Sequence, residues 1–201
     1  MKKVIFTLAA ALFAAGSFAQ IADGKYNVDF KTSTVNWHGE KVTGSGHKGT
    51  VKVSSGQLEL KGNNIVKGKL KLNMNAIECT DGMDAETTSN LLNHLRSEDF
   101  FNTAKFPDAN FEVTSVKAQK DAKGNTHSIN GKLTIKGITQ DVSFPATVSA
   151  KDGGVTVNGE LVVDRSKFDV RYGSETFFGE LGDKAINNEI KINFNLITKK
   201  V

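Results

Sequence analysis

The amino-acid sequence predicts an all-β protein, an antiparallel β-barrel of about eight strands with one short helical segment near a barrel end. Apolar and polar residues alternate repeatedly along the chain, which is the pattern of strands with one buried face. Clusters of Gly, Asn, Asp and Ser separate these runs and are typical of turns between neighbouring strands. A helical pattern interrupts the alternation only once, so no strand–helix–strand rhythm is indicated.

The alternating runs extend from Lys25 almost to the end of the chain. In the clearest run, residues 66–74, one face carries Val66, Leu70, Leu72 and Met74. The apolar positions of the other runs are Tyr26, Val28, Phe30, Val35, Trp37, Val51, Val53, Leu58, Leu60, Phe111, Val113, Ile129, Leu133, Ile135, Val142, Phe144, Val148, Val155, Val157, Leu161, Val163, Ile190, Ile192, Phe194 and Leu196. Closing such a sheet removes its exposed edges, and about eight strands enclose either packed side chains or one small ligand.

The helical interruption lies in residues 91–111, where Leu91, Leu92 and Leu95 recur at helical spacing. Asp84 or Thr88 is the expected N-cap. Four phenylalanines follow the leucines: Phe100, Phe101, Phe106 and Phe111. So apolar a segment is predicted to cover one end of the barrel, either as a plug over a packed core or as a lid on a pocket for an apolar ligand.

The first 19 residues have the pattern of a signal peptide. Lys2 and Lys3 precede an apolar stretch over 4–15 that is too short to span a bilayer, and small residues occupy Ser17 and Ala19. Cleavage is expected before Gln20, and Gln in place of Cys argues against a lipid anchor. Residues 20–201 are therefore predicted to form one exported, soluble domain.

Composition argues against several partner classes. The 26 basic and 22 acidic residues become 24 and 22 once Lys2 and Lys3 are removed with the leader. This excess is too small and scattered to indicate nucleic acid or an anionic membrane. Lysine-rich polar faces and only two Tyr and one Trp also argue against a barrel stably inserted in a membrane. Cys79 is the single cysteine, so an intramolecular disulfide is excluded, and a structural thiol, a reactive thiol and a Cys79-linked homodimer stay open.

Motifs for catalysis or metal binding are missing from the sequence. The four histidines lie far apart, with no zinc-ligand spacing and no cysteine pair: His38, His47, His94 and His127. His94 is interpreted as a surface or capping residue, and Asp81, Asp84 and Glu86 as a solvated helix start. No nucleophile elbow is present. We therefore expect a protein without catalytic residues, metal or cofactor.

The three arginines stand out against 23 lysines: Arg96, Arg165 and Arg171. A rigid guanidinium with five donors suits a fixed carboxylate or a row of backbone carbonyls, which lysine cannot match. Arg96 is expected to pair with Asp99 or a strand-end carboxylate and hold the helical segment on the barrel rim. Contact with the polar head of a ligand is the alternative.

Three stretches resemble the YceI-like lipid/polyisoprenoid-binding proteins. They are residues 94–102 (HLRSEDFFN) with 106–111 (FPDANF), residues 131–139 (GKLTIKGIT), and residues 165–168 (RSKF), with 26–29 (YNVD) in register upstream. The resemblance covers residues 25–198. Asn102 stands where the family usually has Asp, and Asp169 where it usually has Gly.

This resemblance implies a lipocalin-like barrel, periplasmic or secreted, that holds a long isoprenoid lipid such as a polyprenyl chain or a quinone tail. The inward apolar residues and the helical segment supply the expected ligand contacts: Trp37, Leu70, Leu72, Met74, Leu91, Leu95, Phe100, Phe101, Phe106, Phe111, Leu133, Ile135, Phe144, Leu161, Ile192 and Phe194.

Two other functions stay open. A barrel packed solid with side chains would serve as a stress- or surface-associated interaction protein without lipid cargo. Phenylalanines of a packed core and of a pocket give the same sequence pattern. The pattern therefore does not distinguish an interaction protein of this kind from a lipid carrier. A hydrolase or isomerase would need an acid or base inside the barrel, and the sequence offers no candidate.

Overall fold

The computed structural model describes residues 21–62 and 64–201, so the predicted signal peptide lies outside the described residues. Its strands are β1 (Gly24–Val28), β2 (Thr34–Lys41), β3 (Gly46–Lys61), β4 (Asn64–Cys79), β5 (Asp108–Ala118), β6 (His127–Ile135), β7 (Ile138–Lys151), β8 (Gly154–Asp164) and β9 (Ile186–Lys200). The helices are α1 (Ala85–Arg96) and the single turn α2 (Glu175–Phe178), with 3₁₀ turns at Arg165–Phe168 and Gly182–Lys184.

Eight of the strands close into an antiparallel barrel. From β2 the neighbours run β9, β8, β7, β6, β5, β4 and β3, and β3 pairs with β2 again. The extra strand β1 pairs with both β3 and β9 beyond the end of β2. Tyr26 is opposite Leu58 on β3 and opposite Lys200 on β9. The predicted fold class is confirmed.

Along each strand, every second side chain points into the barrel, and these inward side chains are mostly apolar. Tyr26, Val35, Val157 and Leu161 are among these buried residues. Residue 66 departs from the predicted face. Glu59 is opposite Lys67 and Leu60 is opposite Ile65, so Val66 is the extra residue of a β-bulge. Ile65 is therefore buried while Val66 is 47% exposed, and the prediction that Val66 faces inward is wrong.

Helix α1 crosses between β4 and β5 at one end of the barrel. Asp84 is its N-cap, and the Asp84 side chain accepts a 2.9 Å hydrogen bond from the backbone N–H of Thr87. Arg96 donates to the carbonyl oxygen of Ile77 at 2.9 Å. Arg96 thus holds the helix on β4 through a carbonyl rather than the expected carboxylate.

The hairpin between β6 and β7 has the tight turn expected from its sequence. Ile135 is paired with Ile138, so Lys136 and Gly137 form a two-residue loop. Both have positive φ, +54° and +78°, as the turn that fits the twist of a hairpin requires. This hairpin lies beside the residues that follow α1, because the ring of Phe106 packs against Gly137.

Candidate ligand-binding cavity

The barrel encloses a cavity of about 500 Å³. Side chains from all strands of the closed barrel, together with α1 and the residues after it, form its wall. The wall is mostly aliphatic and aromatic, and the volume lies within the range of pockets that hold small molecules. A void of this size argues against a barrel packed solid with side chains.

Most of the predicted ligand contacts meet at this cavity. The predicted contacts that line it are Trp37, Leu70, Leu72, Met74, Leu91, Leu95, Phe100, Phe101, Phe111, Leu133, Ile135, Phe144, Leu161, Ile192 and Phe194. Phe106 does not line it. Its ring lies against Gly137 of the β6–β7 turn, with Lys105 Nζ 5.4 Å from the ring centroid. Phe106 therefore stabilises the junction of the helical segment with the barrel rather than the cavity wall.

Three phenylalanines form a row along the cavity wall. The ring centroids of Phe111 and Phe144 are 5.5 Å apart, as are those of Phe144 and Phe194. Glycines on adjacent strands leave room for the outer two rings. A Cβ on Gly131 would lie 2.4 Å from the Phe111 ring, and one on Gly159 would lie 2.7 Å from that of Phe194. Because these rings lie against bare backbone, they cover the wall and leave the interior open.

Trp37 lies in the wall near the α1 end of the barrel. Its indole N–H donates to the carbonyl oxygen of Glu78 at 3.1 Å, which satisfies the one polar group of the ring. Gly49 allows the close approach, since a Cβ there would be 2.8 Å from the indole. As the single tryptophan, it is an internal fluorescent reporter of cavity contents.

The cavity reaches the surface at the α1 end. Most lining residues that are also exposed come from the β2–β3 turn with the adjoining strand ends, and from the loop after β8: Lys41, Ser45, Gly46, His47 and Tyr172. We call these five residues the mouth. The Tyr172 ring packs edge-on against His94 of α1 with centroids 4.2 Å apart, and His94 in turn contacts Phe100 at 5.5 Å. His94 is half-buried and belongs to the cavity wall, and its carbonyl oxygen accepts the bond from the C-cap N–H of Ser97.

Arg165 is buried below the mouth, with 1% of its surface exposed. Its guanidinium donates four hydrogen bonds of 2.8–3.0 Å to backbone carbonyls: those of Val170, Tyr172, Ile186 and Asn187. Burial lowers the pKa of the group, but a guanidinium stays charged in a protein. This is the row of carbonyls that suits arginine, and it ties the loop after β8 to the start of β9.

A hydrogen-bonded cluster lies at the rim of the mouth. His47 Nδ1 and Cys79 Sγ lie 2.7 Å and 3.2 Å from Asp81 Oδ2. Burial alone would raise the pKa of Asp81, but the bonds from His47 and the backbone N–H of Lys48 bring it below its ordinary value. Burial raises the pKa of the Cys79 thiol, which disfavours a reactive thiolate and supports the structural interpretation of this cysteine.

The mostly apolar wall suits an apolar molecule. Among residues 21–62 and 64–201, no three His, Cys, Asp or Glu side chains are placed to hold a metal ion. No helix in this part of the chain has the length and apolar character needed to cross a membrane. Of the charged residues in the wall, Arg165 is bonded to backbone carbonyls, and Lys69 forms an ion pair with Glu112.

Several wall residues are not among the sequence predictions. The mouth residues, Arg165 and Asn187 lie in loops or at the ends of strands, where alternation gives no signal. The glycines behind the rings do leave a trace in the sequence. Gly131 and Gly159 interrupt strands at places where a side chain would be expected, and such glycines mark close approach of another group.

A closed antiparallel barrel around an apolar cavity defines the class of small-ligand-binding β-barrels. A YceI-like domain matches residues 26–198, and the chain belongs to that family. Protein YceI of Escherichia coli O6:H1 is 36% identical over 148 residues, which is 73% of this chain and 72% of that protein. Protein YceI of Salmonella newport is 35% identical over the same shares.

Two solved structures share the fold. Burkholderia cenocepacia BcnA superposes with a TM-score of 0.66 at 23% identity, covering 85% of this chain and 98% of BcnA. A polyisoprenoid binding domain from Saccharophagus degradans superposes with a TM-score of 0.64 at 16% identity, covering 88% and 98% of the two chains.

Proposed function

We propose that this protein is exported to the periplasm and carries a long apolar isoprenoid lipid, a polyprenyl chain or an isoprenoid quinone, in its barrel cavity. The observation that carries the proposal is the apolar cavity of about 500 Å³ inside a closed barrel. The leader-like residues 1–19 support export, and the polyisoprenoid-binding neighbour supports the ligand class.

Binding in this proposal depends on desolvation. Transfer of each CH₂ group of a lipid chain from water into the cavity releases roughly 0.8 kcal/mol. The phenylalanine row and the aliphatic wall present almost no polar group that the chain would leave unpaired. Affinity therefore needs no charged anchor, and the polar head of the lipid stays near the mouth.

The proposed role is sequestration and carriage, with no chemical step. The two histidines of the wall, His94 and His47, are held by aromatic contacts and by a hydrogen bond to Asp81 respectively. The mild charge gives no support for nucleic acid as a partner.

Native mass spectrometry of the protein expressed with its own leader tests the proposal. We expect an adduct that organic solvent releases and that is identified as a polyprenyl compound. Before purification, the protein should be found in the periplasmic fraction of the cells. Added menaquinone-4 should quench Trp37 in the ligand-free protein. A clean apo mass together with no quenching would refute the carrier function and favour an interaction protein without lipid cargo.

A further inference from the structure

Exposed apolar side chains gather beside the mouth. Phe178 is 59% exposed, and Val42, Tyr172 and Phe177 are also exposed. We call these four residues the mouth patch. Val42 belongs to the β2–β3 turn, and its N–H donates to the carbonyl of Ala185 just before β9. Large exposed apolar groups rimmed by polar residues mark interaction sites on protein surfaces.

The patch is held rigidly. Ser174, fully buried, hydrogen-bonds through its hydroxyl to Asn188 Oδ1 at 2.6 Å, and Asn188 Nδ2 donates to Thr176 at 2.8 Å. The N–H of Ile186 donates to the carbonyl of Gly173 at 2.7 Å. These bonds fasten α2 to β9. The exposed rings of Phe177 and Phe178 are therefore held in place at the surface.

The patch is continuous with the cavity. Tyr172 belongs to both, since its ring is exposed on one side and packs against His94 of the cavity wall. Arg171 lies over the Phe177 ring, with 5.1 Å between the guanidinium carbon and the ring centroid. A molecule leaving the cavity at this end therefore passes apolar rings before it reaches bulk water.

The charges of the loop indicate what kind of surface fits. Residues 171–184 carry two basic and three acidic side chains, and residues 40–48 around Val42 carry two basic and one acidic: Arg171, Lys184, Lys41 and Lys48 against Glu175, Glu180, Asp183 and Glu40. This balance gives no attraction to an anionic surface. By contrast, the amphipathic ring of Tyr accumulates at the headgroup level of bilayers, and Phe side chains on peripheral proteins bury at the boundary between headgroups and acyl chains.

We propose that the mouth patch docks the protein on the headgroup region of a zwitterionic lipid bilayer. This inference rests on the proposed function, because a cargo insoluble in water exchanges with the apolar phase of a membrane. Docking at the mouth lets the chain move between bilayer and cavity without crossing water, and the patch determines how fast it moves.

The test measures transfer of menaquinone-4 from dioleoylphosphatidylcholine vesicles, followed by quenching of Trp37. The variant is Phe177→Ser/Phe178→Ser. The matched control is Phe30→Ser, since Phe30 is also 59% exposed but lies beside Ile197 at the other end of β9. The patch variant should transfer about tenfold more slowly or worse, because insertion of even one phenylalanine contributes about that factor. The control should match the wild type.

Vesicle flotation of the ligand-free protein supplies the second readout. Wild-type flotation should persist when NaCl is raised from about 0.1 M to 1 M, because the contact is apolar, and the patch variant should not float. Phe178→Ser alone gives a milder version if the double variant does not fold.

The outcomes separate this inference from the proposed function. Menaquinone-4 added from ethanol without vesicles should bind the wild type and the patch variant equally. If it binds neither, the proposed function fails, and flotation alone then decides on docking. If it binds both but transfer from vesicles is unchanged in the variant, docking at the patch is refuted. A wild-type dimer that the variant converts to monomers would also refute it and make the patch a contact between copies.

Discussion

Leu72→Trp tests whether the interior is a binding cavity. Leu72 lines the void, and its strand neighbours are Val53 on β3 and Ala109 on β5. The small Ala109 beside it leaves the enlarged side chain free to enter open space. The indole should therefore occupy part of the void without displacing its neighbours.

The magnitude follows from the space that the indole takes from the cargo. If it excludes one five-carbon isoprene unit, binding loses roughly 4 kcal/mol at 0.8 kcal/mol per carbon, which corresponds to about a thousandfold in Kd. A flexible chain recovers part of this by bending, so we expect a weakening between about tenfold and a thousandfold. Stability should change little, since the indole replaces empty volume.

Isothermal titration calorimetry with menaquinone-4 measures the affinity, and urea unfolding measures the free energy of unfolding. Val66→Trp is the control, because this bulge residue on the same strand faces outward and should leave both quantities unchanged. If Leu72→Trp instead destabilises the fold by about 1–3 kcal/mol, as overfilling of a tight core does, and leaves any binding intact, the reasoning is refuted.

Three further changes test the supports of the cavity. Arg165→Met leaves four carbonyls without their donor and should lower the free energy of unfolding in urea by about 3 kcal/mol or more, whereas exposed Arg171→Met should cost below about 1 kcal/mol. Gly131→Ala drives a methyl group into the ring beside it and should cost about 1–3 kcal/mol by the same assay, while Gly39→Ala meets nothing within 4 Å and should cost about 1 kcal/mol or less. Because the pKa of Asp81 is lowered in the fold, its stabilisation is complete above the ordinary aspartate value and is lost as pH falls through the folded-state pKa. Asp81→Asn should therefore lose less stability than the wild type between about pH 5 and pH 2 in acid titrations of Tm, and an identical acid limb in both proteins would contradict this.

The strands and their inward faces follow from the sequence because the two-residue period leaves each side chain only two directions. That rule fails where a strand gains a residue. Val66 is such a case, since the bulge reverses its direction and no sequence pattern marks the position. The position of Phe106 could not be predicted for another reason. The proline after it predicts the end of the helix but not whether the ring lies on the cavity side or against Gly137.

The cavity itself is not predictable from alternation, because an inward leucine reads the same whether it contacts another side chain or a void. Its openness arises from pairs of residues distant in the chain. Gly159 and Phe194 are paired across β8 and β9, and only this register places the ring on bare backbone. Arg165 could be singled out by its rarity, but its four carbonyl partners depend on how the loop after β8 meets the start of β9.

The seam between β2 and β9 joins distant parts of the chain. Beside it, the Ser33 hydroxyl donates to the carbonyl of Ile197, 164 positions away. Before this seam forms, β3 to β8 have an apolar face but no enclosed interior. Contacts of such large sequence separation make folding slow. A lipid carried as we propose can therefore be enclosed only after β2 has paired with β9, so closure of this seam precedes retention of the cargo.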